Sequence, residues 1–281
     1  MEKITKRKLN EYNQILSERD KDMLRSVKMC RFLKTDHAAR LHFWDTPNSK
    51  AASLAAIRTL TKLQDLGFVK PLQRRIGGIR AGSASYVWTL KTAGVELLRL
   101  IENPHNAEDK PSKRYRKRNY EPTYIFLKHT LAIAELYTRL KTTGNLEKVE
   151  FEPSCWRGYT TRLGVNVTLK PDLYAVTATD DFKDYWFFEL DLDTAPPFRI
   201  ARKCETYGRY CLTDNEQQRI GVFPRVVWIV PDEKRRDTIW RYICKDLNEY
   251  KDLFVVITFD GLDSLISSGA APVMDTIKQG T

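Results

Sequence analysis

The chain has 281 residues, 42% of them hydrophobic and 30% charged, which suits a globular protein with room for two cores of ordinary domain size. No apolar run approaches the ~18 residues a membrane helix needs, and the basic start MEKITKRKLNEYNQ leads into no apolar region, so the sequence argues for the cytoplasm and against a membrane partner or a secretory signal. Net charge is +11 with a pI near 9.3, and it is uneven: residues 1–120 hold 26 Lys and Arg against 12 Asp and Glu, whereas residues 121–281 hold 21 against 24. That split favours a nucleic-acid partner for the N-terminal half, since no basic amphipathic anchor for an anionic membrane is evident. Five cysteines without a CxxC pair and four scattered histidines point to packed thiols in a reduced compartment and away from zinc.

Residues 1–16 are polar and read as a flexible start. Ser17, with Asp20 three positions on, caps a helix running to about Leu33 through Met23, Leu24, Val27, Cys30 and Phe32. A short helix opens near Asp36 and carries Ala38, Ala39, Leu41 and Phe43. After the turn DTPNSK, a long helix spans Ser49 to Leu66 and is stopped by Gly67. Ala56, Ile57, Leu60 and Leu63 are assigned to its inner face, with Lys50, Arg58 and Lys62 away from it. A strand over Phe68–Leu72, the basic glycine-rich run QRRIGGIRAGSAS, a strand over Tyr86–Leu90 and a helix over Thr92–Leu100 follow. Three helices and a hairpin with a basic tip give a winged helix-turn-helix over residues 17–100. Its third helix is expected in the major groove and its wing along the backbone of double-stranded DNA. The candidate DNA contacts are Lys50, Arg58 and Lys62 on the helix and Arg74, Arg75 and Arg80 on the wing. Residues 101–121 form a linker whose run Lys113–Arg118 is either plainly solvated or a salt-sensitive tether to phosphates.

Residues 122–262 read as a second, α/β domain with a mixed sheet. A helix spans Tyr124–Lys141 and a strand Leu146–Glu152. A hairpin follows, with strands Lys170–Thr177 and Tyr185–Asp191. Then come a helix over Pro197–Cys211, a strand over Val222–Val230, a helix over Pro231–Asn248 and a strand over Leu253–Phe259. Residues 263–281 read as a loose tail. The hairpin holds the acidic residues Asp172, Glu189, Asp191 and Asp193. Strand alternation puts Glu189 and Asp191 on one face, and the hairpin brings Asp172 beside them. Such a cluster is either a solvated strand end or a site for Mg²⁺ or Mn²⁺, with Asp172, Glu189 and Asp191 as ligands and binding in the millimolar range, an order of magnitude set by few protein ligands and much water.

The element order, with Pro171-Asp172 on one strand and Glu189-Leu190-Asp191 on the next, resembles the PD-(D/E)XK nuclease fold. The whole chain resembles the replication-relaxation family of Gram-positive plasmids and integrative elements. The features that carry this are RRIGGIRAGSASYVWTL, the helix His129-Thr-Leu-Ala-Ile-Ala-Glu135-Leu-Tyr137, KPD, FFELDLDT, and Lys203 with Tyr207 and Tyr210, in an order covering nearly all of residues 17–230. The resemblance implies a DNA-binding protein of a mobile genetic element acting in plasmid replication, relaxation or transfer, with replication or transfer proteins as partners and a homodimer as one assembly. Nucleases of the fold carry a lysine two residues after the glutamate, where this chain has Asp191. The motif as it stands therefore implies a degenerate, inactive domain, or a nuclease or nickase in which Lys203 or Lys170 has taken over, with Asp172, Glu189, Asp191 and Lys203 as catalytic residues and Glu135 as an added acid. Tyr207 and Tyr210 read as core. A winged-helix transcriptional regulator is the remaining alternative.

Overall fold

A computed structural model describes residues 5–73, 85–103, 121–161, 163–180, 182–193 and 196–269, in two units that divide between Thr138 and Arg139. The division falls inside a helix whose first half carries Leu127 and Leu131 into a cluster with Leu72 and Val87.

In the N-terminal unit the order is α1 (Lys6–Ile15), α2 (Glu18–Cys30), β1 (Leu33–Lys34), α3 (Thr35–His42), α4 (Ser49–Asp65), β2 (Val69–Pro71), β3 (Val87–Leu90), α5 (Thr92–Glu102) and most of α6 (Tyr124–Thr142), whose last residues fall in the second unit. Residues 6–15, expected to be loose, form a helix: Leu9 and Leu16 are buried, and Tyr12 meets Phe68 edge-on at 5.2 Å between ring centroids. The Ser17–Asp20 capping box starts α2. Asp20 is buried and also accepts a hydrogen bond from Lys62 Nζ at 2.7 Å, tying α2 to α4. Burial raises its carboxyl, but bonds from Lys62 and Ser17 outweigh this and hold it below the ordinary value. Along α4 the buried residues are Ala52, Ala56, Leu60 and Leu63, so Ile57 lies on the solvent side and not in the core. The three strands form an antiparallel sheet in the order β1-β3-β2, with Leu33 opposite Trp88 and Val69 opposite Leu90. Arg74, Arg75, Arg80 and the run Lys113–Arg118 lie outside the described residues.

The C-terminal unit continues with β4 (Leu146–Phe151), β5 (Arg157–Thr160), β6 (Asn166–Leu169), β7 (Leu173–Ala178), β8 (Lys183–Leu190), α7 (Pro197–Cys211), α8 (Asn215–Ile220), β9 (Arg225–Val230), α9 (Glu233–Asp246), β10 (Phe254–Thr258) and α10 (Leu262–Ser268). The main sheet has the order β10-β9-β8-β7-β4. Strands β8, β9 and β10 are parallel, and β7 pairs antiparallel with both β8 and β4, which makes the sheet mixed. Parallel neighbours need crossovers, and α7 and α9 supply them. Tyr174, Val176, Phe187, Val226 and Trp228 of the sheet share one core with Ile200, Cys204 and Tyr207 of α7 and Ile239 and Ile243 of α9. Two short features were not anticipated, the separate ribbon β5–β6 and helix α8. Helix α10 lies within the stretch expected to be loose and buries Leu262 and Ile266; residues 270–281 lie outside the description.

Close packing in the N-terminal unit is sharpest at Gly94, near the start of α5. A Cβ there would sit 2.4 Å from the carbonyl oxygen of Phe68, which itself accepts the Lys91 N–H. Backbone cannot step aside cheaply, so Gly94→Ala is expected to destabilise this unit by about 1–3 kcal/mol, read as a lowered midpoint in chemical denaturation.

Candidate functional site at the end of strand β8

The β7–β8 register ends with Leu173 opposite Phe188, and Asp172 and Glu189 are the next residues on each strand. Directly opposed residues of an antiparallel pair project to the same face, here the face of Tyr174 and Phe187. The Asp172 N–H donates to Phe188 O at 3.1 Å, and its carboxylate Oδ2 accepts the Leu190 N–H at 2.8 Å. Helix α7 crosses this strand end and delivers two side chains one turn apart. Lys203 Nζ donates to Glu189 Oε2, and the Tyr207 hydroxyl donates to Glu189 Oε1 at 2.6 Å. Burial pushes the Glu189 carboxyl up to about 8; the Lys203 ammonium opposes this and Asp172 adds to it. For Lys203 burial works against the charge, but Glu189 and Asp172 outweigh it and hold the ammonium above its ordinary range.

Asp191, one residue past β8, follows a different course. Its N–H donates to Ile229 O at 3.0 Å, and its Oδ2 accepts from Arg235 Nε at 2.5 Å. Arg235, in the first turn of α9, also lies 3.1 Å from Asp193. Asp191 Oδ1 is buried without a hydrogen-bond partner among the described residues. The structure thus unites Asp172, Glu189 and Lys203 and assigns Asp191 to Arg235. The ligand set expected from the sequence, Asp172, Glu189 and Asp191 around one cation, does not form among the described residues. Mg²⁺ wants oxygens in near-octahedral array, whereas an ammonium, a phenol and a guanidinium already occupy these carboxylates. The donor set as arranged does not fit a resident Mg²⁺ or Mn²⁺.

Lys170 Nζ stands over the Trp156 ring at 4.7 Å. Glu135 pairs with Arg40 and lies 3.2 Å from His37 Nε2, within the N-terminal unit. Asp36, His37 and Glu135 are the one group of three possible metal ligands gathered among the described residues, but Arg40 bridges both carboxylates and already supplies the positive charge. Tyr207 and Tyr210 are core residues, as their spacing suggests, yet each hydroxyl also serves a buried carboxylate: Tyr210 donates to Glu216 at 2.9 Å. Glu216 further accepts from Arg157 Nε at 2.8 Å and pairs with Arg219. The Arg157–Glu216 and Asp191–Arg235 pairs escaped sequence reasoning because their partners lie 59 and 44 residues apart in the chain. Lys50, Arg58 and Lys62 are exposed on α4.

These features define a two-unit α/β protein with a mixed five-stranded sheet and a buried carboxylate cluster at a strand end. The chain matches the replication-relaxation family over residues 24–226 and belongs to it, which points to a role in plasmid replication or relaxation. No curated protein and no solved structure matches it. No helix among the described residues is long and apolar enough to cross a membrane.

The raised Glu189 pKa sets a pH dependence. The unfolded glutamate ionises near 4.5, whereas the folded one keeps its proton to about 8. Between these values the folded state binds more protons, so its contribution to stability falls as pH rises from about 4.5 to about 8 and is level above. Lys203 titrates above this window. Denaturation of wild type and Glu189→Gln at several pH values should show wild type losing ground to the variant by up to about 1.4 kcal/mol per pH unit inside the window.

Proposed function

We propose that this protein binds duplex DNA of a mobile genetic element through its N-terminal unit and serves plasmid replication, relaxation or transfer as an accessory factor. The observation that carries this reading is the solvent face of α4. It is exposed, basic at Lys50 and Arg58, and set on α2 and α3 with an antiparallel three-stranded sheet behind. That arrangement supports a winged helix-turn-helix. The net positive charge of residues 1–120 supports the same assignment. Lys62 is the weakest of the three helix contacts, since its ammonium already bonds Asp20. In the C-terminal unit, the β4-β7-β8-β9 core and the α7 crossover, preceded in the chain by α6, support a PD-(D/E)XK-like fold. In this reading the unit is non-catalytic: Arg235 pairs Asp191, and Lys203 with Tyr207 holds Glu189, which ionises only as pH rises towards 8. A replication or transfer protein of the element is the partner such a domain would engage.

A gel-shift series tests this. A fragment of residues 1–142, which keeps α6 whole, should retain most of the duplex affinity of the full chain, and 143–281 should bind far more weakly. Arg74→Ala with Arg75→Ala should weaken binding to all sequences and lower the slope of log K against log salt by about 2, one for each lost phosphate contact. Lys50→Ala and Arg58→Ala should lose more on a preferred site than on random duplex. Equal affinity of the two fragments would remove the proposal.

A second reading, a DNA nuclease or nickase, has two observations in its favour. Lys203 reaches Glu189 from another element and supplies an ammonium that the motif lacks at Asp191, and Asp191 Oδ1 is buried with no hydrogen-bond partner among the described residues. Incubation with supercoiled plasmid in Mg²⁺ or Mn²⁺ decides it. Cleavage by wild type that is lost in both Lys203→Ala and Glu189→Gln would establish it, and intact plasmid would leave the binding role.

A further inference from the structure

The solvent face of α4 is not purely polar. Lys50, Leu54 and Arg58 follow one another a turn apart, and Ile57 and Thr61 continue the same stripe, opposite the buried Ala52, Ala56, Leu60 and Leu63. Leu54 is 48% exposed and Ile57 40% exposed. A single exposed apolar residue needs no explanation, but here two neighbouring branched side chains stand between two cations at the centre of an otherwise polar face. The cations fit phosphates or guanine edges. The apolar pair fits neither, and the apolar group that B-DNA offers in its major groove is the C5-methyl of thymine.

We propose that Leu54 and Ile57 read thymine methyl groups, so that the site preferred by this protein carries thymines at fixed positions flanked by the contacts of Lys50 and Arg58. The proposal rests on the DNA-binding reading of α4. Charge complementarity selects the occupant: a protein partner for the apolar pair would have to bury Lys50 and Arg58 with it, whereas duplex DNA answers both at once.

The test begins with selection of a preferred duplex from a random library by the full-length protein, followed by replacement of each thymine with uracil, which removes only the methyl. Wild type should lose about fourfold in affinity for each contacted methyl, the worth of one buried carbon. Leu54→Ala with Ile57→Ala should bind the thymine duplex as weakly as wild type binds the uracil one, and should no longer distinguish them. Alanine is the better helix former at these exposed positions, so α4 persists in the variant. Equal binding of thymine and uracil duplexes by wild type would overturn this inference while leaving the DNA-binding reading standing. So would a variant that still distinguishes them, in which case the apolar pair serves a protein partner. Failure to shift any duplex would overturn the DNA-binding reading and this inference with it.

Discussion

The C-terminal unit depends on charge compensation at the end of β8. Glu189 and Asp191 are buried there, with Asp172 across the hairpin, and isolated buried carboxylates are costly. Their cations come from Lys203 on α7 and Arg235 on α9, the two helices that carry the chain between the parallel strands. The ion pairs therefore also fix how these helices seat on the sheet. Swapping such a pair for apolar residues is often neutral, but removing one partner strands the other and typically costs about 3–5 kcal/mol. The seating of α7 is fixed further by Tyr207, whose ring packs with Phe187 and Phe254 while its hydroxyl bonds Glu189.

Charge is handled in opposite ways by the two units. In the C-terminal unit it is turned inward: Glu189 with Lys203, Asp191 with Arg235, and Glu216 with Arg157 and Arg219. In the N-terminal unit Asp20 holds Lys62 and Glu135 holds Arg40, but Lys50 and Arg58 remain on an exposed helix face. A polyanion is drawn to the second pattern and finds little in the first. The proposed division of labour follows, with DNA gripped by one unit and the other offering a folded platform.

Much of this was legible in the sequence where local rules govern. Helix α7 begins at Pro197 and ends at Cys211 as read, because proline fixes its first turn and apolar residues recur at helical spacing. Asp172 comes near Glu189 because hairpin pairing and strand alternation are local geometry. Short elements were lost: β1 has two residues and β5 four, too few for a period to emerge. Helix α1 was hidden because its few apolar residues, Leu9 and Tyr12 among them, are diluted by charges. Ile57 was misplaced since helical spacing permits it on either margin of the buried stripe and only packing decides. Strand alternation grouped Asp191 with Glu189, but β8 ends at Leu190, so the alternation no longer holds and Arg235, far along the chain, claims the side chain.

The central claim is that protein cations, and not a metal, answer the strand-end carboxylates. Titration of the full-length protein with Mn²⁺, followed by the paramagnetic resonance signal of the free ion, tests it most directly. The account predicts the same non-saturating response from wild type and Glu189→Gln. One saturable ion per chain in wild type, absent from Glu189→Gln, would contradict it.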